Sequence, residues 1–448
     1  MTRSRLLLAG VALCFILNTG GGTHSIGAAA SGPWQPFYQS APAYGDGVVA
    51  GQARDAAPPA RGLENWFVAH ETAGSLFENV VAVLQSKYYD KKFVSDFLPK
   101  LVEDYKGQAS KATTLEEQRE VVESFLSHVP ASHLGLLSTR THKTMMYELQ
   151  DKPYPSFGFQ LVNLKGKFYS HTLLEGGPAQ KAGLLTGDRV VTIDNTPVEK
   201  SARLDWRSDD AYLSDELDPP VHNVIAEAGD KIALKVERTP GKFVNITVAA
   251  DDYCAFMAAK ASARVIQSGS YKLGYIHFWF IHMSGLPEML KEKLDGEFQP
   301  CDALILDLRG RGGSATALQK ILDVLRSEHS NRKRPVIALF DHQSRSAKDV
   351  IAYELKRTGL ARLVGEPTAG AVIPATFADV GHESILMFPS FKLPRYTDIL
   401  EFHPVEPDVR VEKAGPLSAG RDPILEGGIA EAVRLLKQAG QPAAAVAH

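Results

Sequence analysis

Apolar residues change their spacing twice along this chain. Between 62 and 128 they recur at intervals of three and four: Phe67, Leu76, Phe77, Val80, Val83 and Leu84, then Phe93, Phe97, Leu98, Leu101 and Tyr105. That is the spacing of one buried helical face, and it predicts a helix for each stripe. Thr113 and Thr114 followed by Glu116 and Glu117 form an N-cap signature, opening a third helix through Val121, Phe125 and Leu126. Past 150 the period falls to two. Phe157 to Leu161, Val190 to Asp194, Lys231 to Val236 and Phe243 to Val248 read as short strands between glycine-rich turns. From 265 to 435, strand-length apolar runs (Leu273 to Phe280, Ala303 to Leu308, Val336 to Phe340, Leu363 to Gly365) alternate with helical ones (Ala317 to Leu325, Ala347 to Arg357). Alternation of this kind is the pattern of an α/β domain. No repeat is present.

The start of the chain follows different rules. Arg3 and Arg5 precede an apolar run from Leu6 to Leu17, too short to span a bilayer comfortably, and a small-residue stretch ends in Ala28-Ala29-Ala30. This predicts a secretory signal over 1–30, with an uncleaved N-terminal anchor as the alternative. Residues 31–61, rich in Gly, Ala and Pro, read as a linker. The expected organisation is therefore signal (1–30), linker (31–61), helical N-terminal domain (62–149), β-rich module (150–252) and α/β domain (265–435). No later run is long and apolar enough to cross a membrane, so the expected destination is the periplasm or the extracellular space.

Composition narrows the partners. With 23% charged residues and a net charge of −3, the chain has no global basic field for nucleic acid or acidic membranes. Past the signal, Cys254 and Cys301 remain; they either pair in an oxidising compartment or sit in the core. No Cys/His spacing suggests zinc, and no metal or organic cofactor is expected.

Two groups of motifs carry the chemistry. Phe157-Gly158-Phe159, followed by Gly177-Pro178-Ala179, Ala182-Gly183-Leu184 and Gly187-Asp188, resembles a PDZ domain. The resemblance implies that Phe157, Gly158 and Phe159 hold a peptide's terminal carboxylate on backbone N–H groups while the peptide adds to the neighbouring strand edge. The alternative is a PDZ fold that only braces or gates the neighbouring α/β domain. Further on, Gly274-Tyr275-Ile276, Asp307-Leu308-Arg309-Gly310-Arg311-Gly312-Gly313, Ser344-Arg345-Ser346-Ala347, Gly365-Glu366-Pro367-Thr368-Ala369-Gly370 and Glu406-Pro407-Asp408 resemble, in order, the S41-type C-terminal-processing (tail-specific) serine peptidases. That resemblance covers about 65–412. It implies a multidomain α+β protein with a helical N-terminal cap, a PDZ-like β-rich module and an α/β catalytic core of the ClpP/crotonase kind.

Ser346 falls at the family's nucleophile position, at a helix start after a strand; Ser344 is the competing candidate, and both could merely cap the helix. Ala347 N–H is the expected first oxyanion donor and the Gly312-Gly313 turn the second. The main branch of the family takes its base from a lysine after the Gly-Glu-x-Thr-x-Gly run. Here that position is Ala371, which cannot accept a proton. The chain is more similar to the tricorn protease branch. That likeness implies His133 as base, Ser132 as its orienting partner and Glu401 as polar support, with His342 as the alternative base. Imidazole titrates near neutrality and suits that role. Arg309 is expected to brace the glycine turn, and Asp307 to accept its N–H groups. The reading is an exported serine endopeptidase acting on unfolded or extended polypeptides, engaged through their C-termini. The alternatives are a catalytically inactive scaffold or peptide-binding protein and, more remotely, a binder of retinoid or lipid.

Overall fold

The computed structural model describes residues 67–68, 74–205, 219, 221–281 and 285–439. The signal and linker readings lie outside the described residues, as does His282, which the sequence places beside the aromatic strand Leu273 to Phe280. Four helices occupy 76–126: Leu76–Lys87, Lys91–Asp96, Leu98–Ala109 and Leu115–Leu126. The third expected helix starts where its cap predicted: Thr114 Oγ1 accepts Glu117 N–H, and the Glu117 carboxylate takes Thr114 N–H at 3.0 Å. Phe67 departs from expectation. It lies in a two-residue strand, Phe67–Val68, paired in parallel with Phe377 and Ala378.

That pairing shows why the helical region is not self-contained. A four-stranded sheet joins Phe67–Val68, Ala375–Asp379, Ser384–Pro389 and Gly135–Ser138 in that order. The helices bury Leu76, Val80, Leu84, Phe125 and Leu126 against Ala378, Val380, Leu386 and Phe388 of the distant hairpin. Asn79, buried in the first helix, donates from Nδ2 to Val380 O at 2.9 Å. Buried amide groups need such partners, so this bond also fixes the helix on the hairpin.

The 154–253 segment folds as a β-rich module, with strands in the order Lys242–Ala249, Lys231–Thr239, Arg189–Ile193, Lys167–Leu173, Phe159–Leu164 and Val221–Asn223. The last of these bears on the expected peptide site. One edge of Phe159–Leu164 pairs with Lys167–Leu173, and the other pairs antiparallel with Val221–Asn223 at Gln160, Leu161 and Val162. The open edge that an added peptide strand requires is already filled by the chain itself.

The larger sheet contains Arg264–Ser268, Tyr271–His277, Ala303–Asp307, Val336–Phe340, Arg362–Gly365 and Val409–Arg410 in order, parallel from the second strand onward. The central strands are buried on both faces, as continuous apolar runs of a parallel sheet should be. Helices Leu286–Asp295, Ala315–Arg332, Ala347–Thr358 and Pro423–Ala439 supply the crossovers and cover. Register fixes where the loops emerge: Asp307 lies opposite Leu339, and Phe340 opposite Gly365. The loops after three adjacent strands therefore leave side by side at the carboxyl edge, the usual ligand edge of an open α/β sheet.

Candidate active site

The loop after Val336–Phe340 turns sharply into the helix Ala347–Thr358, and Ser346 is its N-cap with φ 59° and ψ −118°. A non-glycine residue in that region costs on the order of 1–3 kcal/mol and persists only where its surroundings impose it. A strained strand–turn–helix serine is the geometry of a nucleophile elbow, and Ser346 itself is buried, 9% exposed. Ser346 makes no side-chain capping bond to its helix. Its own N–H is taken, donating to Ala371 O at 2.8 Å.

Ser344 is held differently. It is fully buried, its Oγ lies 3.0 Å from both Leu308 O and Asp341 Oδ1, and Asp341 N–H donates back to it at 3.1 Å. These bonds tie the loop to the neighbouring strand end and leave this hydroxyl committed.

The glycine turn meets Ser346 from the adjacent strand. A Cβ on Gly312 would lie 3.0 Å from Ser346 Cβ, so no larger residue fits without displacing the serine. Gly313 has φ 132°, and a Cβ there would fall 2.2 Å from Ile281 O; only glycine adopts this conformation at such close approach. Among the described residues, no hydrogen bond engages the N–H of Gly312, Gly313 or Ala347. Arg309, expected to brace the turn, is anchored at its start by two carboxylates. Its guanidinium bonds Asp307 and, at 2.7 and 2.8 Å, Asp422. Burial alone would raise the Asp307 carboxyl, but Arg309 and His277 outweigh it and hold it low.

The second cluster comes from the four-stranded sheet. His133 directly precedes Leu134 and the strand Gly135–Ser138, while Glu401 follows the short helix Tyr396–Leu400. Ser132 N–H donates to Glu401 Oε1 at 2.8 Å, Ser132 Oγ lies 3.1 Å from Glu401 Oε2, and His133 Nδ1 is 3.0 Å from Ser132 Oγ. A carboxylate only accepts, so the hydroxyl proton points to Glu401 and its lone pair takes Nδ1–H. This leaves His133 Nε2 as the acceptor. The same Glu401 Oε2 takes Val372 and Ile373 N–H at 2.8 and 2.9 Å. Since Ala371 O holds Ser346 N–H, the segment 371–373 ties this cluster to the serine turn.

Burial, with Arg345 and Arg311 nearby, drives the His133 pKa well below its ordinary value, so the imidazole is neutral at pH 7. The two arginines directly precede Ser346 and Gly312, so the charges that act on His133 come from the two loops that frame the serine. Ala371 is fully buried and offers no side-chain acceptor.

Residues 316–411, which contain Ser346, Ala371 and Glu401, match the sequence profile of Peptidase family S41. That stretch is similar to the S41 peptidases. A curated relative, the chloroplastic C-terminal processing peptidase of Tetradesmus obliquus, is 26% identical over 263 residues. That alignment covers 53% of this chain and 55% of the relative, so the chain spans about half the length of the curated protein it matches. Among solved structures, the photosystem II D1 C-terminal processing protease is 17% identical with a TM-score of 0.45, covering 78% of this chain and 97% of that one. The tricorn protease is 17% identical with a TM-score of 0.45, covering 81% and 36%.

Outside the two clusters, the α/β region holds buried charges that sequence reasoning missed. Asp349 accepts Gly370 and Ala371 N–H at 2.9 and 3.2 Å, and burial pushes its carboxyl up to about 6. Lys348 is buried beside it. A Lys-Asp pair in a first helical turn reads in sequence as solvated, so no signal marked either one. His342 lies 4.0 Å from Glu366 and is half-exposed, and His403 Nδ1 bonds Glu401 O at 2.7 Å. His277 is buried, with Nδ1 2.7 Å from Glu175 of the β-rich module. Cys254 and Cys301 are both free, buried thiols, so the pairing considered above does not occur.

The expected peptide-binding residues sit elsewhere. Phe157 and Phe159 are buried in the core of the β-rich module, and Gly158 N–H donates to Ser156 Oγ at 2.9 Å. With Val221–Asn223 on the adjoining edge, strand addition there requires that segment to leave. Among the described residues, no cluster of His, Cys, Asp and Glu could hold a metal, and no helix is long and apolar enough to cross a membrane.

Proposed function

We propose that the chain is an exported serine endopeptidase of the C-terminal-processing type that hydrolyses peptide bonds in unfolded or extended polypeptides. The observation that carries this reading is the chain Glu401–Ser132–His133, delivered to the segment that also holds Ser346 N–H. A buried neutral imidazole with a fixed tautomer is suited to taking a serine proton.

In the proposed reaction, Ser346 Oγ attacks the scissile carbonyl carbon as its proton passes to His133 Nε2. The carbonyl electron pair becomes an oxyanion, received by Ala347 N–H and by the Gly312 or Gly313 N–H. As the tetrahedral adduct collapses, the C–N bond breaks and His133 returns the proton to the leaving amine. Water, deprotonated by His133, then attacks the Ser346 ester; as the ester C–O bond breaks, His133 returns that proton to Ser346 Oγ and the new carboxylate leaves. In this scheme Ala371 needs no proton-accepting side chain, because the base is His133.

Export rests on the 1–30 pattern, and the PDZ reading on the motifs from Phe157 to Asp188. Recruitment of substrate C-termini by that module would follow release of Val221–Asn223. The test is hydrolysis of casein or unfolded peptides by the chain, with Ser346→Ala and His133→Ala in parallel. Loss in both variants supports the reading. An active His133→Ala beside an inactive Ser346→Ala moves the base to another group, His342 first. A silent wild type favours the inactive scaffold.

A further inference from the structure

Lys348 is the second residue of the helix that Ser346 caps, and its side chain is fully buried. Its Nζ donates to four main-chain carbonyls: Phe278 O at 2.8 Å, Trp279 O at 2.9 Å, Arg309 O at 2.8 Å and Gly310 O at 3.0 Å. Two of these belong to the segment after the strand Tyr271–His277, and two open the glycine turn that meets Ser346. A side chain rooted beside Ser346 thus grips both walls opposite it.

The acceptor set identifies the charge state. Burial pushes Lys348 down to about 7, while Asp341 and Asp307 oppose that shift. A neutral amine would turn its lone pair toward a carbonyl oxygen, whereas an ammonium meets all four with its three protons, sharing one. The ammonium form fits the geometry, and its protons are committed, so Lys348 does not replace the absent lysine as base.

We infer that Lys348 is a positioning residue, whose ammonium fixes the Gly310–Gly313 turn against the Ser346 helix so that the two sources of oxyanion N–H stay aligned. The turn has other fasteners. Gly310 N–H donates to Asp341 Oδ1 at 3.1 Å, Ile281 N–H to Gly312 O at 3.0 Å, and Ser314 N–H to Ile281 O at 2.7 Å. Those bonds join the turn to its flanks and to the Asp341 loop; Lys348 joins it to the helix that supplies Ala347 N–H. The catalytic part of the inference rests on the function proposed above; the anchoring part does not.

The test uses the full chain with Lys348→Met and Lys348→Arg. Hydrogen exchange is read by mass spectrometry over 278–281 and 309–314, alongside kcat and KM on a peptide the wild type cleaves. Lys348→Met is expected to accelerate exchange in both segments at least tenfold and to lower kcat about 100-fold with KM within threefold, since misplacement of about 1 Å is enough for such a loss. Affinity for a peptide boronate, which forms a tetrahedral adduct, should fall with kcat, while affinity for the matching unreactive amide should not. Wild-type exchange in a folded Lys348→Met, or a rise in KM alone, overturns the inference. If Lys348→Met does not fold, Lys348→Arg decides: faster exchange in the two segments upholds the anchoring, and wild-type exchange with wild-type kcat overturns it. If the wild type cleaves nothing, the exchange data still judge the anchoring, and only the functional proposal fails.

Discussion

Replacing Ser132 with alanine removes one hydroxyl from the middle of the Glu401–Ser132–His133 chain and little else. Glu401 keeps Ser132 N–H on Oε1 and Val372 and Ile373 N–H on Oε2, so its position is retained. The loss falls on His133 Nδ1–H, which gives up its 3.0 Å partner in a buried site. An orphaned buried donor costs about 1–3 kcal/mol. The ring can escape that cost by carrying its proton on Nε2 instead, and in that tautomer it is no longer a base toward Ser346. At about 1.4 kcal/mol per decade, the productive tautomer becomes roughly 5- to 150-fold scarcer. The expected result for Ser132→Ala is a drop in kcat of that size with KM unchanged, because the hydroxyl does not face the peptide. Steady-state hydrolysis of a fluorogenic peptide measures both constants, and Ser132→Thr, which restores a hydroxyl, should recover most of the activity. A kcat within twofold of wild type would refute the reasoning, as would a change confined to KM.

Three further outcomes are expected. Because His133 is held well below its ordinary pKa, it stays neutral through mild acid, so the acid limb of kcat/KM should lie below pH 6.5. Arg345→Gln should move that limb upward, and a wild-type limb at or above 6.5 contradicts the assignment. Gly313→Ala places a Cβ 2.2 Å from Ile281 O at φ 132°, so it should abolish peptide hydrolysis while circular dichroism shows the sheets retained; near-normal kcat would show that the turn tolerates displacement. Prolines at 221 and 222 remove two of the three N–H groups of Val221–Asn223 and weaken its pairing. Affinity for a peptide with a free C-terminus, read by fluorescence anisotropy, should then rise at least tenfold, and an unchanged affinity would mean that strand does not guard a peptide site.

The legible parts of the sequence were those where local pattern and tertiary demand agree. Val336–Phe340 is an apolar run between turn signals and is a strand over those residues. Thr114 and Glu117 need only each other to cap a helix, so their signature survived folding intact. Ser132, His133 and Glu401 were found through family likeness, and the structure brings them within hydrogen-bond distance. Other features depend on partners far along the chain. Phe67 shares the helical spacing of the residues after it but pairs with Phe377, about 300 positions away, and that strand addition overrides the local pattern. Val221–Asn223 follows Asp218-Pro219-Pro220 and is too short to show a period, so its place on the edge of Phe159–Leu164 was invisible. Lys348 and Asp349 look like a solvated first turn, and only the surrounding backbone shows that both are buried.

The most direct test of the central claim is to locate covalent labelling by a fluorophosphonate probe with peptide mass spectrometry. The account expects one adduct, on Ser346, lost in Ser346→Ala and at least 100-fold slower to form in His133→Ala. An adduct on Ser344, or labelling of Ser346 that proceeds at the wild-type rate without His133, would contradict it.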